Sequence, residues 1–434
     1  MKSVYYYICE LNHIIDNDST LIGGMIMEKI LAVNSGSSTL KIRLFEMPSE
    51  KSLVSILFDP INANYCNITF KEDNFQNKLH LDTAIDYTEA IELALKLLKK
   101  YHVITAFTEI HGVGHRIVAG GEKFTSSTVI TDGVLQDIES LAEFAPLHNP
   151  ANAKGIRATE RLLPHARQVA VFDTSFHSSM EKKNYLYALP YDYYRTLKVR
   201  KYGAHGTSHR YVAMQAAKLM KKPLNSLKLI TLHLGAGASV TAIKNGKSVD
   251  TSMGFSPVSG LVMGTRSGDI DPSALFYLMH KGAIKNIDDC LTILNKKSGL
   301  LGISEMSNDM RVLEEQAASN PQVKLAIDMF VKKIIDFIGA YWLELGGADA
   351  LVFTGGIGEK DAAMRARIAA KLEPLNIFPA AEGQRTAKHE LDFTGKGSAA
   401  KLLMIPTNEE LMIARDVFSL NSAHNHDNDR ELSL

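Results

Sequence analysis

Cysteine is scarce in this chain of 434 residues: Cys9, Cys66 and Cys290 are the only three, far apart and without a CxxC pair. Neither a disulfide framework nor a cysteine zinc site is expected, and incidental thiols in a reducing compartment fit the spacing better. Net charge is absent as well, because Lys plus Arg and Asp plus Glu each number 48. A neutral chain has no long-range field that would draw nucleic acid or an anionic membrane, so any anion must be held by a local site. No uncharged apolar stretch approaches the roughly 18 to 20 residues of a membrane span. The opening "MKSVYYYICELNHIIDNDSTLIGGMI" carries an apolar run from Val4 to Cys9 only, shorter than the about 7 to 15 residues of a secretory signal core. Residues 1–26 are therefore expected to be a disordered extension without function, and the cytoplasm is the expected compartment. Two nucleotide signatures are also missing. Without GxxxxGK[ST] and without GxGxxG, Walker-type ATPases and Rossmann dehydrogenases are disfavoured together.

What is present suits a two-domain globular protein, since 45% of residues are apolar and the length exceeds that of one compact domain. "ILAVN" (30–34) and "LKIRLF" (40–45) read as strands, and "YTEAIELALKLLKK" (87–100) repeats Ile91, Leu95 and Leu98 at helical spacing. "VAVFDTSF" (169–176) begins as a short buried strand and ends in polar residues. The strongest helix signal runs from Pro321, with Asn320 as cap, to the stop at Gly346 and Gly347, and its stripe Val323, Ile327, Phe330, Ile334, Ile338 and Trp342 belongs to a core. Strands followed by helices in both halves predict an α/β architecture.

An internal echo carries more information than any single element. "NSGSSTLK" separates the first two strands, and "LITLHLGAGASVTAIKNGK" (229–247) repeats the plan of strand, small-residue turn and strand. Such turns expose backbone N–H groups and, with glycine, let phosphate oxygens approach closely. One Gly-Ser turn alone is more often plain structure; the duplication brings two facing phosphate cradles level with that plain reading. "ADALVFTGGIGEKDAAMRARIAAKL" (348–372) then places a glycine turn between a buried strand and a helix, which suits the adenosine side of a nucleotide. Together they resemble the actin, Hsp70 and sugar-kinase superfold, which implies two related ribonuclease H-like α/β domains with an active-site cleft between them.

Polar residues cluster between these loops: Arg116, His148 and Asn149, Asp173 and His177, His205 and His209, then Arg266, Asp269 and Asp271. Singly, each is more often structural than chemical. In order, however, "VNSGSSTLK", "GHRIVAGGEKFTSS", "FAPLHNPAN", "VAVFDTSFH", "YGAHGTSH", "VDTSMGFSPVSGLVMGTRSGDIDP", "SGLLGISE" and "IPTNEELMIARD" resemble the acetokinase family of acetate and propionate kinases from residue 28 to about 418. The resemblance implies reversible transfer of the ATP γ-phosphoryl group to acetate, giving acetyl phosphate and ADP. It also implies Mg²⁺, with Mn²⁺ as an alternative, and a homodimer with no nucleic-acid or membrane partner.

Transferred residue by residue, the resemblance makes Asn34 and Glu409 the metal-site residues and Lys41 a phosphate contact, with Ser37 and Thr39 on the same hairpin. Arg116 and Arg266 would hold the carboxylate and the transferring phosphoryl group, His205 would stabilise the transition state, and Asp173 would be the acid/base. The nucleotide side would fall to His233, Leu234, Gly235, Ala236 and Gly237, to Asp309, Met310 and Arg311, and to Gly355, Gly356, Ile357, Gly358 and Glu359. Val118, Leu147 and Pro257, beside the substrate arginine Arg116, would take the acetate methyl. The domains implied are 27–176 plus 409–424 and 177–408, with a disordered tail at 425–434.

Chemistry explains most of these residue types. Phosphoryl transfer spreads charge over the γ-phosphoryl oxygens, and planar Arg forks match carboxylate and phosphate oxygens. A base is harder to justify, because acetate is already a carboxylate at neutral pH; Asp173 is expected to orient a neighbour instead. The chain departs from the family pattern at Ala236 (HLGAG for HLGNG), at Ala119 before the double glycine, and at Lys360 after GGIGE. These leave open a GTP or pyrophosphate donor, or a catalytically weakened nucleotide-binding paralogue. The small Ala204 before His205, together with Val118, leaves propionate open as a substrate, while a sugar kinase would need more hydrogen-bonding side chains where the arginines and the apolar pocket stand.

Overall fold

The computed structural model describes residues 21–431 apart from 23–24, 37, 74, 145–148 and 386–388, with the backbone alone described at 21–22, 25–26, 381–385 and 423–431. Ser37, Leu147, His148 and most of the N-terminal extension lie outside the described residues. Within that extension, Leu21–Ile22 and Met25–Ile26 pair as a short antiparallel hairpin.

Two mixed sheets organise the chain, one of eight strands and one of seven. In the first, Glu28–Ser35 pairs antiparallel with Leu40–Met47 on one side and parallel with Ile110–Ile117 on the other. Ile110–Ile117 is in turn parallel to Arg167–Phe172, which carries the antiparallel edge strand Thr128–Val129. The second sheet repeats this plan. Lys228–Leu234 pairs antiparallel with Ala238–Lys244 and parallel with Ala350–Thr354; Lys401–Met404 follows in parallel, and Leu391–Thr394 lies antiparallel beside it. The echo read in the sequence is thus a repeat of whole half-sheets, and the fold is the one expected. Runs such as "KLITLHL" and "ALVFT" are buried on both faces, each face of the sheet packing into a different core cluster.

The helices form where the sequence places their signals. Tyr87–Lys100 starts with a capping box between Asp86 and Glu89, which satisfies free N–H groups at its first turn, and buries Ile91, Leu95 and Leu98. Pro321–Leu345 is capped by the Asn320 side chain and stops at Gly346, whose φ of 62° is the left-handed conformation glycine adopts without strain. Trp342 packs only partly buried at the edge of that core. The last helix, Glu409–Glu431, leaves the second sheet and packs Leu411, Ile413, Ala414 and Val417 against Ile30, Ala32, Val169 and Val171 of the first. It runs through residues expected to form a disordered tail from 425. Asn421 anchors it through Nδ2, which donates to Glu28 Oε2 at 2.7 Å, and each residue added beyond a packed turn gains a backbone bond without a new nucleation cost.

Candidate active site

Arg116 and Asp173 stand at the carboxyl ends of neighbouring parallel strands, where side chains can leave the sheet and face a crevice. Arg116 is the penultimate residue of its strand, and Asp173 directly follows the neighbouring one. Asp173 is fully buried. Its Oδ2 accepts from Arg116 Nε at 2.9 Å and Nη2 at 2.6 Å, and its Oδ1 accepts from Thr207 Oγ1 at 3.3 Å. Both oxygens are committed, so this carboxylate braces the guanidinium rather than waiting as a free base. Burial works against charge on Arg116, but Asp173, Glu409 and Glu410 outweigh it and hold the guanidinium firmly protonated.

Arg116 Nη1 reaches Asn34 Oδ1 at 3.4 Å, and Asn34 Nδ2 donates to Glu409 Oε2 at 3.2 Å and Glu410 Oε1 at 2.9 Å. Glu410 was missed in the sequence; the only signal was its place beside Glu409 in "NEE". Burial raises Glu409, Arg116 opposes it, and the charges of Asp173 and Glu410 help push it up to about 6. Among the described residues no group of three His, Cys, Asp or Glu side chains is placed to hold a metal ion; Glu409 and Glu410 meet at the Asn34 amide nitrogen instead, and their carboxylates are oxygen donors of the kind a hard divalent ion takes. Lys41, opposite Asn34 in the hairpin register, is exposed toward the same end. Thr39 folds back on its own turn, where its carbonyl accepts from Gly36 N at 2.8 Å.

Across the crevice, His205 holds a left-handed conformation (φ 58°, ψ 19°) at the start of helix Gly206–Met220. That is unusual for a residue other than glycine and costs of order 1–3 kcal/mol, which the surroundings must offset. Gly206 makes it feasible: its N–H donates to Asp173 O at 2.9 Å, and a Cβ there would lie 2.2 Å from that oxygen. The His205 ring stacks on His233 at 4.3 Å between centroids. Burial, then His233, His209 and the two arginines, hold His205 well below its ordinary value, so the ring is neutral. A Cβ on Gly237 would sit 3.3 Å from Arg266 Nη1 and 3.5 Å from His205 Nε2, so both side chains converge on the second hairpin's turn. Among the described residues, Arg266 finds Pro257 O at 3.3 Å and Met263 Sδ at 3.8 Å as partners. Burial and the charge of Arg116 lower its affinity for the proton.

A cavity of about 700 Å³ opens from Gly235 and Ala236 toward Asn308, Arg311, Gly356, Ile357 and Lys360. Asp309 caps the helix Met310–Gln316 and pairs with Arg311 at 2.6 Å on the rim, while Met310 is 4% exposed and packs into the core. Gly355 (φ 77°) closes against the second hairpin, where a Cβ would meet Leu234 O at 2.7 Å. Gly358 is buried, and Leu234 is a core residue that brings only backbone to the turn. Glu359 turns inward instead of toward the cavity. Its Oε1 accepts from Gly355 N and Thr407 N, each at 3.0 Å, and so ties the loop to the strand end before Glu409.

A separate cavity of about 20 Å³ is lined by Val118, Ala119 and Pro257, and also by Phe144, Tyr202 and Phe255, aromatic walls the sequence reading did not include. His177 and His209 are structural: their ring nitrogens meet Ser248, the Ala204 carbonyl, Thr231 and Ser239. Asp269 accepts from Gly260 N and Asp271 caps a helix, so neither reaches the crevice.

Two phosphate-type hairpins, an adenosine-type loop and paired arginines beside a small apolar pocket define a phosphotransferase of the actin/Hsp70/sugar-kinase superfold. The chain belongs to the acetokinase family, whose model matches residues 29–415. It is 53% identical to an acetate kinase of Lactiplantibacillus plantarum, over 90% of this chain and 98% of that one. It is 45% identical to an acetate kinase of Bacillus cytotoxicus, over 91% and 100%. A crystal structure of Porphyromonas gingivalis acetate kinase superposes with a TM-score of 0.83 at 41% identity, covering 90% of this chain and 99% of that chain. A propionate kinase from Francisella tularensis gives 0.83 at 40% identity, covering 90% and 99%.

Proposed function

We propose that the protein is an acetate kinase, transferring the ATP γ-phosphoryl group reversibly to acetate. The observation that carries this reading is the opposed pair Arg116 and Arg266 beside a cavity of about 20 Å³, which has room for about one methyl-sized group. ATP lies with its adenosine in the larger cavity and its phosphates between the turns at 34–41 and 233–237. The acetate methyl enters the small cavity and its carboxylate faces Arg116. A carboxylate oxygen attacks the γ-phosphorus and ADP leaves on the opposite side. Arg116, Arg266 and His205 stabilise charge on the oxygens in flight, positioning and charge being most of what phosphoryl transfer needs. No proton moves in the forward step.

Asn34 and Glu409, with Glu410 behind them, would hold Mg²⁺ or Mn²⁺, which neutralises phosphate charge when bound. Binding requires Glu409 ionised, so metal affinity falls as pH drops through about 6. Because the folded value lies above the ordinary one, the ionised form costs stability as pH rises through that range. The expected result is a melting temperature raised by Mg²⁺ at pH 7.5 and unmoved by it at pH 5; equal shifts at both would refute the assignment.

Ala236 is exposed at the mouth of the nucleotide cavity, where an Asn side chain would reach phosphate. Ala236→Asn is expected to lower the nucleotide KM about tenfold, one added charge-assisted bond discounted for exposure. An unchanged KM means that the turn's backbone already carries the contact.

A homodimer and a cytoplasmic location accompany this reading. Phe276 and Ile287, 70% and 71% exposed, lie on helices that a second copy would cover. We read the domains as 27–176 with the start of the last helix, and 177–408. The functional test is acyl phosphate trapped as hydroxamate, with acetate, propionate and butyrate against ATP, GTP and pyrophosphate. Acetate with ATP should give the highest kcat/KM; no acyl phosphate from any pairing would overturn the reading.

A further inference from the structure

Behind His205 lies a line of buried hydroxyl and imidazole groups that the transfer itself does not use. Ser239 Oγ stands 2.9 Å from His205 Nδ1 and 2.8 Å from His209 Nε2. On its far side, His209 Nδ1 is 2.7 Å from Thr231 Oγ1. Thr231, His209 and Ser239 are all fully buried, so solvent supplies none of these bonds. We infer that Thr231, His209 and Ser239 form a one-way hydrogen-bond relay that keeps His205 in the tautomer with its proton on Nε2, the nitrogen facing the phosphoryl site. The inference rests on the proposed kinase reading for its role, but not for its geometry.

The direction follows from counting protons. Ser239 has one hydroxyl proton and two imidazole neighbours, so it donates to one and accepts from the other. Thr231 decides which. Its alternative acceptor, Thr241 O, is 3.5 Å away, at the limit where a hydrogen bond loses meaning, whereas His209 Nδ1 is close. Thr231 therefore donates to His209 Nδ1, and His209 carries its proton on Nε2 and donates to Ser239. Ser239 then gives its own proton to His205 Nδ1. The remaining His205 proton lies on Nε2, beside Arg266 at the Gly237 turn.

The tautomer matters because His205 is neutral. A neutral imidazole can donate to a developing phosphoryl charge only from the nitrogen that holds the proton, and the opposite tautomer would present a lone pair there. Ser239 and Thr231 are thus positioning residues acting through His205.

Histidine-selective ¹⁵N NMR of the full chain tests this directly, with the His205 signals identified by their loss in His205→Asn. The expected wild-type pattern is a protonated Nε2 and an accepting Nδ1. Thr231→Val keeps shape but removes the proton source, and Ser239→Ala cuts the line. Each should populate the other tautomer and lower kcat about tenfold or more, with both KM values nearly unchanged, in the manner of a weakened oxyanion donor. Thr231→Ser should restore spectrum and kcat together. A wild-type His205 protonated on Nδ1, or Val and Ala variants with wild-type tautomer and kcat, would overturn the relay. A wild-type protein that makes no acyl phosphate yet shows the Nε2 tautomer would overturn the kinase reading and leave the relay standing.

Discussion

Arg266→Ala is expected to lower kcat about 10³-fold, the scale of a lost arginine in phosphoryl transfer, while the melting temperature stays level or rises. Among the described residues the guanidinium is partly buried without a carboxylate partner and bonds a carbonyl at 3.3 Å and a thioether at 3.8 Å. Burial and the nearby Arg116 both disfavour its charge. Such a group lowers the stability of the free protein and is stabilised only when anions arrive, the usual tension between activity and stability. Arg116→Ala provides the contrast. Its loss strands the fully buried Asp173, and breaking a buried pair costs about 3–5 kcal/mol, so activity and stability should fall together. Kinetics and thermal melts on the two variants check this. If Arg266→Ala melts as low as Arg116→Ala, the arginine is structural and its proposed role is wrong.

Asp173→Asn is expected to lower kcat about 10²-fold or more, comparable to loss of one preorganised electrostatic contact, with the shape of the pH–rate profile unchanged. Both carboxylate oxygens are engaged, by Arg116 and by Thr207, and the nucleophile arrives ionised. An Asn keeps one acceptor for Arg116 but removes the charge that fixes its orientation. Activity regained by raising the pH would show that a proton is being abstracted, and the bracing role would then fail.

The fold was legible because its signals are local. Alternating and apolar runs, the Asn320 cap and the Gly346 stop each appear within a few residues, and the duplicated hairpin revealed the repeat of half-sheets. The site was legible to the extent that its residues sit in motifs. Arg116, Asp173, His205 and Arg266 do converge, but what each does depends on partners far away in the chain. Glu359 sits in the GGIGE motif, yet its Oε1 accepts from Thr407 N, far along the chain; Glu410 bonds Asn34, and only its place beside Glu409 marks it in the sequence. The aromatic walls Phe144, Tyr202 and Phe255 come from three separate segments, and no periodicity joins them. The relay through Ser239 was hidden for the same reason, since an alternating strand residue looks like any other small polar one until its two histidine neighbours are known. The backbone of the last helix continues to Glu431, a course that composition alone does not reveal because the packed turns before it carry the signal.

The most direct measurement of the account is oxygen transfer. Acetate labelled with ¹⁸O in both carboxyl positions, incubated with the enzyme, ATP and Mg²⁺, should yield ADP and acetyl phosphate whose ³¹P resonance carries the isotope shift of a bridging ¹⁸O, because a carboxylate oxygen attacks the γ-phosphorus. An acetyl phosphate without that shift, or AMP and pyrophosphate in place of ADP, would contradict it.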